Sequence, residues 1–476
     1  MFEVTSMAQN PFQNIIDTQR MYFIQDGRNK SIYERKKTLK KLRSWIKQNQ
    51  DYILTELAKD FGKSNEELMI SEIKPIISEI KDALRNIRFW AQDIHKKTPL
   101  ALLGSKAKVM KEPKGVALII APWNFPFMLA VGPLVSALSA GCTAVVKPSE
   151  NTPHCEALLE KLIKEVFSPN EVACVKGGVE ETTALLSLKW DHIFFTGSPA
   201  VGKIVMTAAA KHLTSVTLEL GGQNPVIIDR KANFKDAAQK LIWGKFFNCG
   251  QSCISPNYVL VPDDKHLEFV KILKAEYAKV FKNGVEAEKE PSFARIVNEH
   301  HFDRVKTLID KSVEEGMLLI EGGNTNKETK FIAPTILDGV RKDSTIFNEE
   351  IFGPVMTLML YKDTEEVLKI INENEKPLAL YIFTKSNKFA ENIIKNTSAG
   401  TTVINDTTIQ FSHPNLPFGG VNHSGIGKAH GEYGYKEFTN ERAVLKQRRG
   451  ITSPKMIYPP YNGFKRWVIK IITWYS

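Results

Sequence analysis

Val116-Ala117-Leu118-Ile119-Ile120-Ala121 is the stretch whose reading decides the fold. It carries no polar residue on either face, so a strand formed from it must be covered on both sides, as in a parallel sheet flanked by helices. The pattern then repeats. Helical spacing over 128–140 leads to the apolar strand Thr143-Ala144-Val145-Val146, a helix over 152–167, the strand Val172-Ala173-Cys174-Val175, and another at His192-Ile193-Phe194-Phe195-Thr196. Such alternation implies a doubly wound α/β sheet, whose ligands sit beyond the carboxyl ends of the strands.

Working outward, residues 31–60 place Leu39, Leu42, Trp45, Ile46 and Ile53 at helical spacing, and 67–90 do the same with Met69, Ile73, Ile76, Ile77, Ile80 and Leu84. Two amphipathic helices therefore precede the sheet. Residues 96–113, with Pro99, Gly104 and Pro113, break that period and predict a hairpin. A second α/β block starts at Asn224. It comprises the strand Val226-Ile227-Ile228, a helix over 234–247, the strand Tyr258-Val259-Leu260-Val261, helices over 264–281, 302–315 and 364–373, and strands over 318–320 and 355–361.

With 476 residues and 43% apolar content, the chain is long enough for at least two cores. The five cysteines show no disulfide or zinc spacing, which fits a reducing compartment, and His300-His301 point apart on a helix, so no metal site is expected. Much of the net charge of +11 comes from Arg442, Lys446, Arg448, Arg449, Lys455, Lys465, Arg466 and Lys470, in a tail without acidic residues. The body is near neutral, which argues against a nucleic-acid partner. Neither a secretory leader nor a membrane span of roughly 18 apolar residues is read, so a cytoplasmic protein is expected.

Chemistry concentrates in four places. In Phe247-Asn248-Cys249-Gly250-Gln251-Ser252-Cys253-Ile254-Ser255-Pro256, a small loop presents Cys253 just before a strand, where a thiolate can act as nucleophile; most free cysteines are instead small buried hydrophobes. Thr217-Leu218-Glu219-Leu220-Gly221-Gly222 sets one carboxylate in an apolar strand, and an unpaired buried carboxylate is costly, so Glu219 needs a partner or a reaction. Pro122-Trp123-Asn124-Phe125-Pro126 holds an amide between prolines, a preorganised donor. Phe195-Thr196-Gly197-Ser198-Pro199-Ala200-Val201-Gly202 runs from a strand through a Gly-flanked turn into a helix over 204–211. It lacks the G-x-G-x-x-G spacing, yet the helix start offers free N–H groups to a pyrophosphate.

Together with Lys147-Pro148-Ser149-Glu150, Glu350-Ile351-Phe352-Gly353-Pro354 and Leu416-Pro417-Phe418-Gly419-Gly420, these motifs resemble the NAD(P)-dependent aldehyde dehydrogenase superfamily over about residues 20–460. The short N-terminus, the Cys253 segment and Tyr458-Pro459-Pro460 resemble its class 3 and fatty aldehyde branch. The resemblance implies two doubly wound parallel-sheet domains and a small bridging β-arm. Residues 1–95 and 114–221 would form the NAD-binding domain and 222–397 the catalytic domain. The arm would comprise 96–113 and 398–415, pairing with a strand at 399–408 and docking on a second subunit of a homodimer; an ordinary surface hairpin is the alternative. Residues 416–450 would flank the active site, and 451–476 form the basic amphipathic tail.

The resemblance also implies roles. Cys253 would attack an aldehyde, Asn124 and the Cys253 N–H would hold the oxyanion, and Glu219 would activate water to release a carboxylic acid. Lys147 and Glu150 would hold the adenine ribose, and Gly197, Ser198, Gly202 and Leu220 the rest of the dinucleotide, with Glu350 on the nicotinamide ribose and Phe352 against its ring. A carboxylate at Glu150 predicts NAD preferred and NADP tolerated. Phe125 and Phe127 predict an apolar aldehyde, aliphatic of medium or long chain or aromatic. Transfer of the thioester to coenzyme A and a non-catalytic binding protein are the alternatives, the former disfavoured by a water-activating Glu219. Finally, Phe464, Trp467, Val468, Ile471, Ile472 and Tyr475 form one apolar helical stripe with Lys465, Arg466 and Lys470 off it. That stripe suits peripheral contact with an anionic membrane or packing over the substrate entrance or a partner subunit.

Overall fold

The computed structural model describes residues 10–474 except 29, 100–101, 283–284, 291–292 and 451. The buried strand Val116–Ile120 lies inside a six-stranded sheet, flanked by Thr143–Lys147 and then Val172–Cys174 on one side. On its other side come His192–Gly197, Ser215–Leu220 and the two-residue strand Gly425–Ile426. All neighbours are parallel except the last, in which Gly425 pairs with Glu219 and Ile426 with Leu218. Every residue of Val116–Ile120 is buried, which is why its sequence reads as a continuous apolar run.

A seven-stranded sheet forms the second core, in the order Leu318–Glu321, Thr335–Asp338, Val355–Tyr361, Tyr258–Pro262, Pro225–Ile228, Ala379–Phe383, Thr401–Ile404. Only Leu318–Glu321 runs antiparallel to its neighbour. The N-terminal helices Ile32–Gln48 and Lys74–Trp90 pack on Met128–Ala140, and Gln50–Phe61 packs on Pro153–Val166, with Leu39, Ile46, Leu57, Ile76 and Ile80 in the core that these share with the first sheet.

The arm differs from expectation. Lys106–Pro113 pairs antiparallel with Ile94–Lys96 on one side and with Thr439–Lys446 on the other, not with 399–408. Thr401–Ile404 is instead the parallel edge strand of the catalytic sheet, so the arm is built from 94–113 and 439–446, and 398–415 is not part of it. The reason is topological: the helix Asn387–Asn396 returns the chain alongside Ala379–Phe383, where a parallel edge position is open. Two helices also start earlier than read: Pro199–Ala210, because Ser198 caps it, and Glu299–Glu314, because Asn298 does. The tail forms the helix Gly463–Trp474 on the turn Ser453–Ile457; Tyr475 and the Ile472 side chain lie outside the described residues.

Candidate active site

The loop that carries Cys253 begins where helix Phe234–Phe246 ends. Asn248, Cys249 and Gly250 follow with φ of 53°, 54° and 70°, three successive left-handed residues. Two of them are not glycine, at a cost of roughly 1–2 kcal/mol each. Gly250 has no substitute, since a Cβ there would lie 2.1 Å from the Gly353 carbonyl oxygen. The surroundings over-determine this path. Asn248 N–H donates to Glu67 Oε1 at 2.8 Å, and Asn248 Nδ2 donates to the carbonyls of Gln251 (2.9 Å) and Asn124 (3.0 Å). The Gln251 side chain donates to Asn248 O and Arg295 O and accepts from Val297 N–H. Cys249 is fully buried in the second core and is a packing residue.

Cys253 is partly buried and lies in a cavity of about 320 Å³ whose walls include Phe125, Met128, Leu129, Trp243, Phe247 and Phe411. Burial, and then the carboxylates of Glu219 and Glu350, push its thiol well up. The resting sulfur therefore holds its proton and must lose it before it can act.

Asn124 is 3% exposed, and its Nδ2 donates to Gln251 O at 3.2 Å, which ties the amide to the cysteine loop. The second amide proton is available to an oxyanion. Asn124 is set from behind by a charge cluster that sequence reasoning missed. Lys63 Nζ donates to Asn124 O at 2.8 Å and pairs with Glu72 Oε1 at 3.2 Å, both side chains being 1% exposed. Glu72 Oε2 accepts Met128 N–H at 2.8 Å, and burial pushes Glu67 up to about 7. Lys63 lies in the link after helix Gln50–Phe61, and Glu67 and Glu72 on the helical stretch that follows; only the tertiary packing buries them.

Glu219 closes the strand Ser215–Leu220, 5% exposed, its Oε1 without a hydrogen-bond partner among the described residues. Burial pushes it up to about 7, against the lowering influence of His430 and Lys428. Such a carboxyl titrates where a general base is useful. Glycine-rich 416–431 is irregular as expected and reaches Glu219 through the Gly425 bridge, which delivers Lys428 and His430 to the site.

The expected cofactor residues fall along the carboxyl edge of the first sheet. Lys147 Nζ is buried and donates to Pro148 O and Glu150 Oε2 at 2.7 and 3.2 Å, while Glu150 is exposed. Gly197 and Ser198 open helix Pro199–Ala210, and Gly202 faces Leu220 so closely that a Cβ would sit 2.8 Å from Leu220 Cδ2. Glu350 lies against the Gly221 backbone, with Oε1 unpartnered among the described residues and its carboxyl pushed up to about 7 by burial. Phe352 adopts φ 45° and meets Trp123 edge-on at 5.3 Å. Arg304 donates to Ile351 O at 2.7 Å and holds that loop; the His301 ring lies tilted against Trp123, centroids 4.9 Å apart. Trp123, His301 and Arg304 were not anticipated, although His301 and Arg304 share a helix face at the i, i+3 spacing.

The family model described as aldehyde dehydrogenase matches residues 3–444. The chain is 38% identical to 4,4'-diaponeurosporen-aldehyde dehydrogenase of Staphylococcus aureus, covering 96% of this chain and 98% of that protein. It is 41% identical to aldehyde dehydrogenase family 3 member A2 of Rattus norvegicus, over 92% and 90% of the two chains. A solved structure of Staphylococcus aureus AldH in its substrate-bound state superposes with a TM-score of 0.91 at 37% identity, over 97% of this chain and 99% of that one.

Proposed function

The chain belongs to the aldehyde dehydrogenase family, whose members are NAD(P)-dependent oxidoreductases of aldehydes, and on that premise we propose that it oxidises apolar medium-chain, long-chain or aromatic aldehydes through a thioester on Cys253. The observation that carries this reading is Cys253 in an apolar cavity, tied by its loop to Asn124 and near enough to Glu219 for that carboxylate to raise its thiol. The Staphylococcus aureus relative is named for 4,4'-diaponeurosporen-aldehyde, which supports an aldehyde as substrate.

The residues present fit a dinucleotide: a capped helix start, a buried lysine beside an exposed carboxylate, and a Glu350 oxygen without a partner among the described residues, able to accept from a ribose hydroxyl. Lys147, Glu150, Gly197, Ser198, Gly202 and Leu220 would hold its adenosine and pyrophosphate, and Glu350 and Phe352 its nicotinamide half. When bound, NAD(P)⁺ supplies the hydride acceptor. Cys253 loses its proton to water in the cavity, which leaves Glu219 free as a base. The thiolate adds to the carbonyl, and the oxyanion accepts from Asn124 Nδ2 and Cys253 N–H; losing one such donor costs about 10²–10³ in rate. After oxidation Cys253 carries a thioester, and Glu219 activates the water that releases the acid. A base already placed for water disfavours transfer to coenzyme A.

Glu150 would repel a 2′-phosphate, so NAD is the preferred cofactor, with NADP tolerated because Lys147 stands beside it. The exposed arm strands Ile94–Lys96 and Thr439–Lys446 support docking of a second copy. No helix among the described residues is long and apolar enough to cross a membrane. Exposure of Phe464, Trp467 and Trp474 beside Lys465 and Arg466 supports peripheral contact with an anionic bilayer. NADH formation over aldehydes of graded chain length tests the main reading, with rising kcat/KM on lengthening expected and absence of turnover on every aldehyde overturning it. Flotation with anionic vesicles, full chain against a chain ending at Gly463, tests the tail; equal flotation overturns it.

A further inference from the structure

Behind the substrate cavity lies a second, smaller chamber of about 30 Å³. The two share Glu79, Met128, Leu129 and His430 in their walls, and the inner one is also lined by Glu219 and Ser136. Its volume exceeds the roughly 10–15 Å³ that one water molecule needs. A 5% exposed carboxylate whose Oε1 has no protein donor among the described residues is the kind of group that ordered water satisfies.

Across from Glu219 stands His430. Its Nδ1 lies 3.6 Å from Glu79 Oε2, with the two side chains 16% and 10% exposed, and Glu79 Oε1 accepts the Gly431 N–H at 2.7 Å. His430 has φ of 70°, and the next residue, Gly431, is so tightly placed that a Cβ would meet Pro414 O at 2.4 Å. The imidazole is thus held at one address by a strained backbone, as is common where geometry serves function. It borders both the chamber of Glu219 and the cavity of Cys253.

We propose that the inner chamber holds the hydrolytic water and that His430, backed by Glu79, carries the proton taken up by Glu219 out to the substrate cavity. The inference rests on the Cys253 thioester reading above. In the step concerned, water oxygen bonds to the thioester carbon, the C–S bond breaks, and its electron pair returns to Sγ as thiolate. One water proton passes to Glu219 and the other stays with the carboxylic acid. Glu219 then hands its proton to the imidazole, whose cation is balanced by Glu79, and the imidazole releases it to solvent in the outer cavity. The charged groups that act on His430 are Glu79 from helix Lys74–Trp90 and Glu219 from its strand; Asp82 acts on Glu79, and Lys428 and Glu437 act on Glu219. Acting through Glu219, His430 and Glu79 are positioning residues.

The test is a single-turnover reaction of the full chain with NAD⁺ and octanal, quenched over time and read by intact mass for the acyl adduct. Variants are Glu79→Gln, which can still accept from Gly431, and His430→Asn, since Asn tolerates positive φ. We expect the adduct to form within about twofold of the unsubstituted rate and to decay about tenfold or more slowly, the share of an acid–base relay. The acid limb of decay should move to higher pH in His430→Asn, because the imidazolium no longer favours ionised Glu219, and added free imidazole should restore part of the rate. Decay at the unsubstituted rate, or equal slowing of both steps with an unmoved limb and no imidazole response, overturns the relay alone. Absence of NADH from the unsubstituted protein overturns the thioester reading and the relay with it.

Discussion

Replacing Lys63 by methionine keeps the length of the side chain and deletes its ammonium, at a site where that group meets the Glu72 carboxylate at 3.2 Å and the Asn124 carbonyl at 2.8 Å. Both charged side chains are 1% exposed, so Glu72 is left as an uncompensated buried charge, a loss of about 3–5 kcal/mol. Asn124 O also loses the shorter of its two donors, Asn248 Nδ2 at 3.0 Å remaining, and a displacement of roughly 1 Å at a catalytic group costs about 10²-fold in rate. Glu72→Gln in the same chain separates the two effects. The glutamine oxygen still accepts from Met128 N–H, whose bond to Glu72 is 2.8 Å, while the charge is gone. Urea unfolding should therefore show most of the stability restored in Lys63→Met/Glu72→Gln, the remaining deficit being about 1–2 kcal/mol, one or two hydrogen bonds. Kcat/KM on octanal should stay low in both. A stable single variant, or stability and activity recovering together, would refute the assignment of Lys63 as the group that sets Asn124.

Gly250→Ala adds a Cβ 2.1 Å from Gly353 O at φ 70°, so loss of turnover by at least about 10²-fold is expected with near-normal NAD affinity by fluorescence titration. Glu219→Gln should lower steady-state turnover by about 10²–10⁴ and abolish the acid limb of the rate profile. Glu219 is active when ionised and is pushed up to about 7, so the unsubstituted rate should rise with pH through that value; the profile of initial rates checks the sign. Glu150→Gln should raise the NADP-to-NAD ratio of kcat/KM by removing the repulsion of the 2′-phosphate, and an unchanged ratio would place that phosphate elsewhere.

How far the sequence reaches follows from the range of the interactions. Val116–Ile120 and its parallel neighbours are buried on both faces, and burial of that kind writes itself into a local string of residues. Cys253, Glu219 and Asn124 could be singled out because each stands out from its own apolar or Gly-rich surroundings, while the roles given to them come from the family resemblance. The partner of Lys106–Pro113 was not, because Thr439-Asn440-Glu441-Arg442-Ala443-Val444-Leu445-Lys446 has a mostly exposed, charged surface that resembles a loop, while Thr401–Ile404 looks equally fit for hairpin or edge strand. Lys63, Glu67, Glu72, Glu79 and His430 lie far from Cys253 in sequence and acquire meaning only through burial against it, which no local pattern records.

The account stands most directly on where the substrate carbon becomes attached. Glu219→Gln mixed with NAD⁺ and octanal, quenched in acid, digested and read by peptide mass, should show one equivalent of acyl group on the peptide bearing Cys253, in step with one equivalent of NADH. NADH released with no acylated cysteine, or with the acyl group on Cys249 or another of the five cysteines, would contradict it.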